Sequence, residues 1–266
     1  MNSIRHFLLA LQFFTRVPVT GGLANWVGFS PQMLRASAAH LPGIGWLVGC
    51  VAALVFVGVG AGLAGVAGAL VAAVLSTVVT VMLTGAFHED GLADVADGLG
   101  GSANRERALE IMKDSRIGAF GAVALVLALG LKFALLATLA QRGLTVAAVS
   151  VVGAHVLSRL APLFLIRCLP YVGDSGASKA KPLADAISGG ALAIGVVWSV
   201  PAVALLLYAH DVAHVVGALV AVVLAAGWMA RLFVRRLQGF TGDGLGATQQ
   251  VCELAVYLAL AWQWRA

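Results

Sequence analysis

The chain has 266 residues, of which 61% are hydrophobic and only 11% are charged, with a formal net charge of +5. A soluble domain carries about 25% charged residues, so this composition excludes an ordinary soluble protein and indicates an integral membrane protein. The apolar runs are long and lack the alternation of a transmembrane β-barrel, so we expect an all-α, polytopic helical bundle. The three cysteines lie far apart and form no C-x-x-C pair, which predicts neither a thiolate metal site nor a disulfide framework.

The first residues, MNSIRHFLLALQFF, combine a charge with a short apolar run, as a signal peptide does. Gln12 interrupts this run, and the following TRVP contains no convincing cleavage site. We therefore favour an amphipathic helix that lies in the membrane interface over a cleaved signal.

Apolar segments long enough to cross a bilayer as helices of about 20 residues occupy most of the remaining chain. We place them at 40–64, 66–87, 117–140, 143–169, 189–209, 213–234 and 246–264. The last is the weakest, because it contains Gln249, Gln250 and Glu253. The prediction is about seven transmembrane helices plus the N-terminal interfacial helix. They form one membrane-embedded domain, residues 1–266.

The connections between these segments differ in length and in charge. If the chain alternates sides, the long connections 18–39, 88–116, 170–188 and 235–245 share one face, and short turns near 65, 141 and 211 share the other. The long-connection face receives Arg16, Arg35, Arg105, Arg107, Lys113, Arg116, Lys179, Lys181, Arg235 and Arg236, and the other face little beyond Arg142 and Arg265. The positive-inside rule makes the first face cytoplasmic, provided that the helix count has the right parity. We expect a multi-pass protein of the bacterial inner membrane, with catalytic loops 88–116, 170–188 and 235–246 in the cytoplasm.

The stretch HEDGLADVADGL (88–99) gathers carboxylates inside a chain that is otherwise poor in charge. Asp90, Asp94 and Asp97 have i, i+4, i+7 spacing, which places them on one stripe of a helix, although Gly91 and Gly98 weaken a helix. Carboxylates this close repel one another, and a bound divalent cation relieves the repulsion. Oxygen ligands beside a phosphate-bearing substrate suit Mg²⁺. The alternative is a purely structural role, in which a solvated acidic loop caps a helix.

Two further stretches on the same face have the composition of phosphate-binding segments. In IMKDSRIGAFG (111–121), Lys113 and Arg116 flank Asp114 and Ser115, as in a clamp that neutralises a transferring phosphoryl group. In GFTGDGLGATQQ (239–250), glycines surround Asp243, and a Gly-rich loop that opens a helix offers backbone N–H groups to an anion. Ordinary cytoplasmic charge and a flexible loop are the alternatives. YVGDSGASKAKPLAD (171–185), around Asp174, is similar in composition.

These stretches, in this order, resemble the cobalamin synthase family, also called adenosylcobinamide-GDP ribazoletransferases. HEDGLADVADGLGG, EIMKDSRIGAFGA and GFTGDGLGATQQ carry the resemblance, together with ALQFFTRVPV near the N-terminus. Glu89 departs from the apolar residue expected at its position. The resemblance implies that adenosylcobinamide-GDP is joined to α-ribazole, or to its 5′-phosphate, to give adenosylcobalamin or its phosphate with release of GMP. It also implies Mg²⁺ as cofactor, at a late step of cobalamin biosynthesis.

From this chemistry we assign roles to the candidate residues. The predicted metal ligands are Asp90, Asp94, Asp97 and Asp114. The predicted catalytic residues are Asp94, Asp97, Lys113 and Arg116, with Asp97 chosen among the carboxylates as acceptor of the hydroxyl proton. The predicted substrate-binding residues are Arg105, Ser115, Thr241, Gly242, Asp243 and Gly244. The partners are the two substrates and the lipid bilayer, with no nucleic acid. Association with a second copy or with other cobalamin-assembly enzymes stays open.

Two other functions fit parts of the pattern. CDP-alcohol phosphotransferases of phospholipid synthesis also use a D-G…D…D motif with a divalent metal, but the acids here are more compressed. A transporter or channel carries acids inside its spans, whereas here they lie in the connections and the main charges within spans are Lys132 and Arg159.

Overall fold

A computed structural model describes residues 2–173 and 187–264, which fold almost entirely as helices. The helices are α1 Asn2–Phe14, α2 Gly21–Val27, α3 Pro31–Ser37, α4 Leu41–Gly62, α5 Gly65–Thr84, α6 Phe87–Gly101, α7 Arg105–Met112, α8 Ala119–Ala140, α9 Leu144–Cys168, α10 Gly189–Ala209, α11 Val212–Leu237 and α12 Gly242–Ala261, with a 3₁₀ turn at Ala38–His40. This confirms the all-α polytopic bundle.

The seven predicted apolar segments correspond to α4, α5, α8, α9, α10, α11 and α12, with bounds that agree to within a few residues. Within the described residues, six helical stretches are long and apolar enough to span a membrane, and α12 is not among them. α12 nevertheless has 20 residues, a length of about 30 Å. Its polar side chains Gln249, Gln250 and Glu253 are buried inside the bundle. Because these side chains contact protein and not lipid, the helix can be less apolar than the other spans.

Helix α9 forms the centre of the bundle. In its most apolar window 89% of the residues are buried, against 17–39% in the other five candidate spans. Helix α4 approaches it closely at two glycines one turn apart. A Cβ on Gly45 would lie 2.9 Å from Cα of Val156, and a Cβ on Gly49 would lie 3.0 Å from Cα of Val152. Small residues at this spacing let membrane helices pack at short range, and here they fix α4 against the central helix.

The predicted connection 88–116 is not a loop, because it contains α6 and α7. α5 ends at Thr84, the next residue Gly85 has a left-handed backbone (φ +72°), and Ala86 follows in the same region (φ +61°). Glycine adopts this conformation freely, whereas alanine does so at a cost of about 1 kcal/mol. The two residues reverse the chain sharply, so that α6 turns back onto the bundle and packs against α8 and α12.

Candidate active site

The three aspartates of α6 lie on one continuous helix, as their spacing predicts. Their exposure decreases along the helix: Asp90 is exposed, Asp94 is half-buried and Asp97 is 8% exposed. The weakening expected from Gly91 and Gly98 does not interrupt the helix, because neighbouring helices pack closely on both glycines. A Cβ on Gly98 would collide with Met112, and a Cβ on Gly91 would lie 2.6 Å from the carbonyl oxygen of Asp243.

The close approach at Gly91 brings a fourth carboxylate to this face. Burial is the largest cause that raises the pKa of Asp94 to about 7, followed by the charges of Asp243, Asp90 and Asp97. Burial and the charge of Asp90 raise the pKa of Asp243 to about 6. We call Asp90, Asp94, Asp97 and Asp243 the acidic cluster. Asp243 was predicted to bind substrate, and in the structure it lies with the predicted metal ligands of α6.

Asp97 also has a structural task. One carboxylate oxygen accepts a hydrogen bond from the backbone N–H of Gly118 at 2.7 Å, and the other accepts from that of Gly121 at 2.8 Å. These N–H groups belong to the first turn of α8 and have no partner within that helix. Asp97 therefore caps α8 from a neighbouring helix, and its ligand and base roles stay predictions.

Asp114, the fourth predicted ligand, is paired differently from the acids of α6. Nε and Nη2 of Arg116 donate to its two carboxylate oxygens at 2.9 and 2.5 Å. The hydrogen bonds from Arg116 hold the pKa of Asp114 down, at about 2. Lys113 ends α7 and is exposed, as are Ser115 and Arg116. This segment therefore carries exposed basic side chains directly before α8, and the clamp itself stays a prediction.

Two arginines hold helix ends near the cluster. Nε of Arg105 donates to the carbonyl oxygen of Leu237, at the end of α11, at 2.7 Å. Nη2 of Arg236 donates to the carbonyl oxygens of Leu99 and Ser102, at the end of α6, at 3.0 and 2.6 Å. Arg105 thus has a contact that the prediction of substrate binding did not include. Arg236 was predicted only as one of the positive charges of the cytoplasmic face, and its contacts with α6 were not predicted.

The Gly-rich stretch 239–250 is mainly helix rather than loop. Thr241 caps α12, because its hydroxyl oxygen accepts from the N–H of Gly244 at 3.1 Å. Gly244 and Gly246 are buried, and a Cβ on Gly246 would lie 3.2 Å from the carbonyl oxygen of Phe87. These glycines provide close packing of α12 on its neighbours. The substrate-binding roles of Thr241, Gly242, Asp243 and Gly244 stay predictions.

Across residues 2–173 and 187–264, no three histidine, cysteine or acidic side chains converge closely enough to complete a metal site on their own. Mg²⁺ commonly binds one or two protein carboxylates and takes its remaining ligands from water and substrate phosphates. The acidic cluster supplies carboxylate oxygens without a complete set of protein ligands, and the pKa values of two of its members, Asp94 and Asp243, are raised. It therefore has the donor groups of such a site.

A buried ionic network extends from this face into the bundle. Nζ of Lys132 on α8 lies 2.7 Å from Oε1 of Glu253 on α12, and both side chains are at most 4% exposed. The network continues along two hydrogen-bonded branches. Its other members are His155, Arg159, Gln249, Ser158, Gln250 and Glu89. The sequence showed the charges of this network but not their pairing. The available signal was the three polar residues Gln249, Gln250 and Glu253 inside the apolar helix α12.

The 170–188 connection was also predicted to belong to the catalytic face. Asp174, Lys179, Lys181 and Asp185 lie outside the described residues, as does Arg265. Its described beginning is fixed by Tyr171, which forms a parallel bridge with Phe240 directly before α12.

The fold and the acidic cluster together define a class: a polytopic, all-α membrane protein with a carboxylate-rich site beside exposed basic groups. The profile of the Cobalamin-5-phosphate synthase family matches residues 6–261. The chain belongs to this family, which confirms the resemblance seen in its motifs and makes it a transferase of cobalamin biosynthesis. The phospholipid-synthesis and transport alternatives are not supported by this match.

Similar proteins cover the chain almost completely. An adenosylcobinamide-GDP ribazoletransferase of Albidiferax ferrireducens is 58% identical over 277 residues, which cover 97% of this chain and 98% of the relative. A protein of the same name from Polaromonas sp. strain JS666 is 57% identical and covers 97% of this chain and 96% of its own length. Another from Polaromonas naphthalenivorans is 58% identical and covers 98% of this chain and 99% of its own length. No solved structure matches the chain.

Proposed function

We propose that this protein joins adenosylcobinamide-GDP to α-ribazole, or to α-ribazole 5′-phosphate, and releases GMP. The observation that carries the proposal is the close approach of α12 to α6 at Gly91, which adds Asp243 to the three aspartates of α6. The names of the similar proteins supply the two substrates. The acidic cluster and the exposed Lys113 and Arg116 supply groups of both signs, as transfer of a phosphoryl group requires.

We propose Mg²⁺ as the cofactor, held by Asp90, Asp94 and Asp243 together with the pyrophosphate of the substrate. Burial, and after it the charges of neighbouring acids, raise the pKa of Asp94 and of Asp243, and a bound dication would favour the ionised carboxylates against both effects. When bound, the metal would supply charge neutralisation for the attacking and leaving oxygens. Asp97 is available as a ligand only through lone pairs that Gly118 and Gly121 do not use.

The chain's own residues then have the following tasks. Lys113 and Arg116 bind the pyrophosphate oxygens, while Asp114 orients the guanidinium of Arg116. A ribose hydroxyl of ribazole attacks the phosphorus bound to cobinamide, a new P–O bond forms, and the P–O bond to GMP breaks. A carboxylate of the acidic cluster accepts the hydroxyl proton. Asp94 is the better candidate for this acceptor than Asp97, because its oxygens accept no hydrogen bond from the described residues, whereas both oxygens of Asp97 do.

We further propose that the acidic face is cytoplasmic and that the membrane is the bacterial inner membrane. The arginines near the cluster support this orientation through the positive-inside rule. Soluble nucleotide substrates would reach the site from that side.

Turnover by the full chain in detergent tests the proposal. The assay combines adenosylcobinamide-GDP, α-ribazole 5′-phosphate and Mg²⁺, and chromatography follows the cobamide product and GMP in equal amounts. We expect turnover that stops with EDTA and returns with excess Mg²⁺. Asp94→Asn is expected to reduce kcat by at least about 100-fold.

The matched control is Glu106→Gln, which removes an exposed carboxylate from α7 on the same face. It is expected to leave turnover unchanged. Full activity of Asp94→Asn would remove the proposed metal site. A folded wild-type protein without product would overturn the proposed reaction, and CDP-alcohol substrates would be tested next.

A further inference from the structure

A small cleft lies beside the acidic cluster and is not used by the roles assigned above. Its walls come from the end of α1, the first turn of α6, the last two turns of α9 and the first turn of α12. The aromatic side chains among its lining residues are Phe13, Phe14, Phe87, His88 and Tyr171. The other lining residues are apolar or glycine, so the cleft is suited to a flat, apolar group.

The aromatic rings of the cleft pack edge to face. The ring centroids are 4.9 Å apart for Phe13 and Phe14, 6.1 Å for Phe14 and Phe87, and 5.5 Å for Phe87 and His88. Such contacts hold rings in defined orientations, so the walls of the cleft are preformed.

His88 is a polar side chain of the cleft that has no hydrogen-bond partner among the described residues. Its side chain is 5% exposed, and in the described part of the chain neither ring nitrogen has a hydrogen-bond partner. A ligand atom within reach of the ring would give it a hydrogen-bond partner. A neutral imidazole offers one N–H donor and one acceptor nitrogen.

The cleft is continuous in sequence with the acidic cluster on two sides. His88 precedes Asp90 by two residues on α6, and the lining residue Gly242 directly precedes Asp243 on α12. The cleft and the acidic cluster therefore share the first turns of α6 and α12.

We propose that this cleft binds the benzimidazole base of the ribazole substrate, with the N–H of His88 donating to the one unsubstituted ring nitrogen of the base. This inference rests on the proposed function. The base is planar, apolar and aromatic, and that nitrogen is its hydrogen-bond acceptor. Guanine needs several donors and acceptors, and the corrin ring carries many amides, so neither matches a cleft with so few polar atoms. The ribose hydroxyl of a ribazole bound here faces the acidic cluster.

Steady-state kinetics with each substrate varied separately tests the inference. We expect His88→Leu to raise KM for α-ribazole about tenfold, the loss of one hydrogen bond between neutral groups in a dry site. KM for adenosylcobinamide-GDP and kcat should stay within about twofold of wild type. His88→Asn, which keeps an N–H donor, should recover part of the affinity. Equal changes in both KM values, or no change in either, would overturn the inference.

A second variant tests the cleft without touching His88. Ala38 lines the cleft and is 1% exposed, so Ala38→Leu narrows it. KM should rise more for α-ribazole than for the nucleoside of unsubstituted benzimidazole, which is smaller by two methyl groups. An equal effect on both nucleosides would contradict the assignment. Equilibrium dialysis of α-ribazole alone against wild type and His88→Leu gives the same comparison without chemistry. Wild type that binds α-ribazole but fails to turn over would leave the cleft standing and refute the proposed reaction.

Discussion

Lys132 on α8 and Glu253 on α12 form an ion pair of 2.7 Å inside the bundle, with side chains 4% and 2% exposed. Glu253 also accepts a hydrogen bond from Gln249 at 2.7 Å, and Gln250 donates to Glu89 on α6 at 3.0 Å. Removing one charge of a buried pair leaves the other without compensation. The pair therefore fixes α12, and through Glu89 also α6, in the positions that bring Asp243 beside the aspartates of α6.

The first prediction concerns this pair. Lys132→Met should lower the free energy of unfolding by about 3–5 kcal/mol, because it leaves the Glu253 carboxylate buried without its cation. Lys132→Met combined with Glu253→Gln should lose clearly less than the sum of the two single variants. Unfolding in mixed detergent micelles measures all three. Arg107→Met, which breaks the exposed ion pair with Glu110, is the control and should change stability little. Additive losses would show that the two side chains are not coupled.

The sequence predicted the helices of this protein well and the partners of its charges poorly. Hydropathy locates spans because burial in lipid requires a long apolar run, and the aspartate spacing defined α6 because helical period is local. Which carboxylates meet depends on how α12 crosses α6, a tertiary contact made at Gly91. The capping of α8 by Asp97 was missed for the same reason: residues 97 and 118 meet only after folding. The polar residues of α12 marked a buried network without naming Lys132 as partner.

The second prediction separates capping from metal binding at Asp97. Asp97→Ala removes the acceptors of Gly118 N–H and Gly121 N–H and should cost about 1–2 kcal/mol of stability without any metal. Asp97→Asn keeps one acceptor oxygen and should lose about half as much. Thermal unfolding in EDTA measures both variants. Unchanged stability in EDTA would mean that Asp97 does not hold the start of α8.

The third prediction concerns pH. The pKa of Asp94 is raised to about 7 from an ordinary value of 3.8, so the folded state binds this proton more tightly than the unfolded state. Its contribution to stability is present at low pH and is lost as pH rises from about 4 to about 7. Allowing for the solvent exposure of this half-buried group, the loss is about 1 kcal/mol. Unfolding midpoints in EDTA at pH 5 and pH 8 measure it.

Asp94→Asn provides the comparison for that experiment. The variant should show a smaller fall in stability between the two pH values than wild type does, because it lacks the titrating group. Mg²⁺ at pH 8 should raise the midpoint of wild type more than that of the variant. Equal pH dependence in both proteins would show that Asp94 does not titrate in this range.

The fourth prediction compares two arginines that are neighbours in sequence. Arg236 donates to the carbonyl oxygens of Leu99 and Ser102, whereas Arg235 is exposed. Arg236→Met should lower stability by about 1–3 kcal/mol, because charge-assisted hydrogen bonds to the end of α6 are lost. Arg235→Met removes the same charge from the same face and should have little effect. Equal losses would indicate that the charge on this face matters and the capping does not.

The last prediction concerns the contact that completes the acidic cluster. A Cβ on Gly91 would lie 2.6 Å from the carbonyl oxygen of Asp243, which belongs to the backbone of α12 and has no flexible end to move aside. Gly91→Ala should therefore push α12 away from α6 and displace Asp243, with a loss of kcat of at least tenfold, since a displacement of about 1 Å can cost 100-fold. Gly130→Ala is the matched control, because a Cβ at Gly130 on α8 meets nothing within 4 Å. That control should keep full activity and gain about 0.5–1 kcal/mol of stability, since alanine favours a helix over glycine. Full activity of Gly91→Ala would mean that Asp243 need not stay beside the aspartates of α6 for turnover.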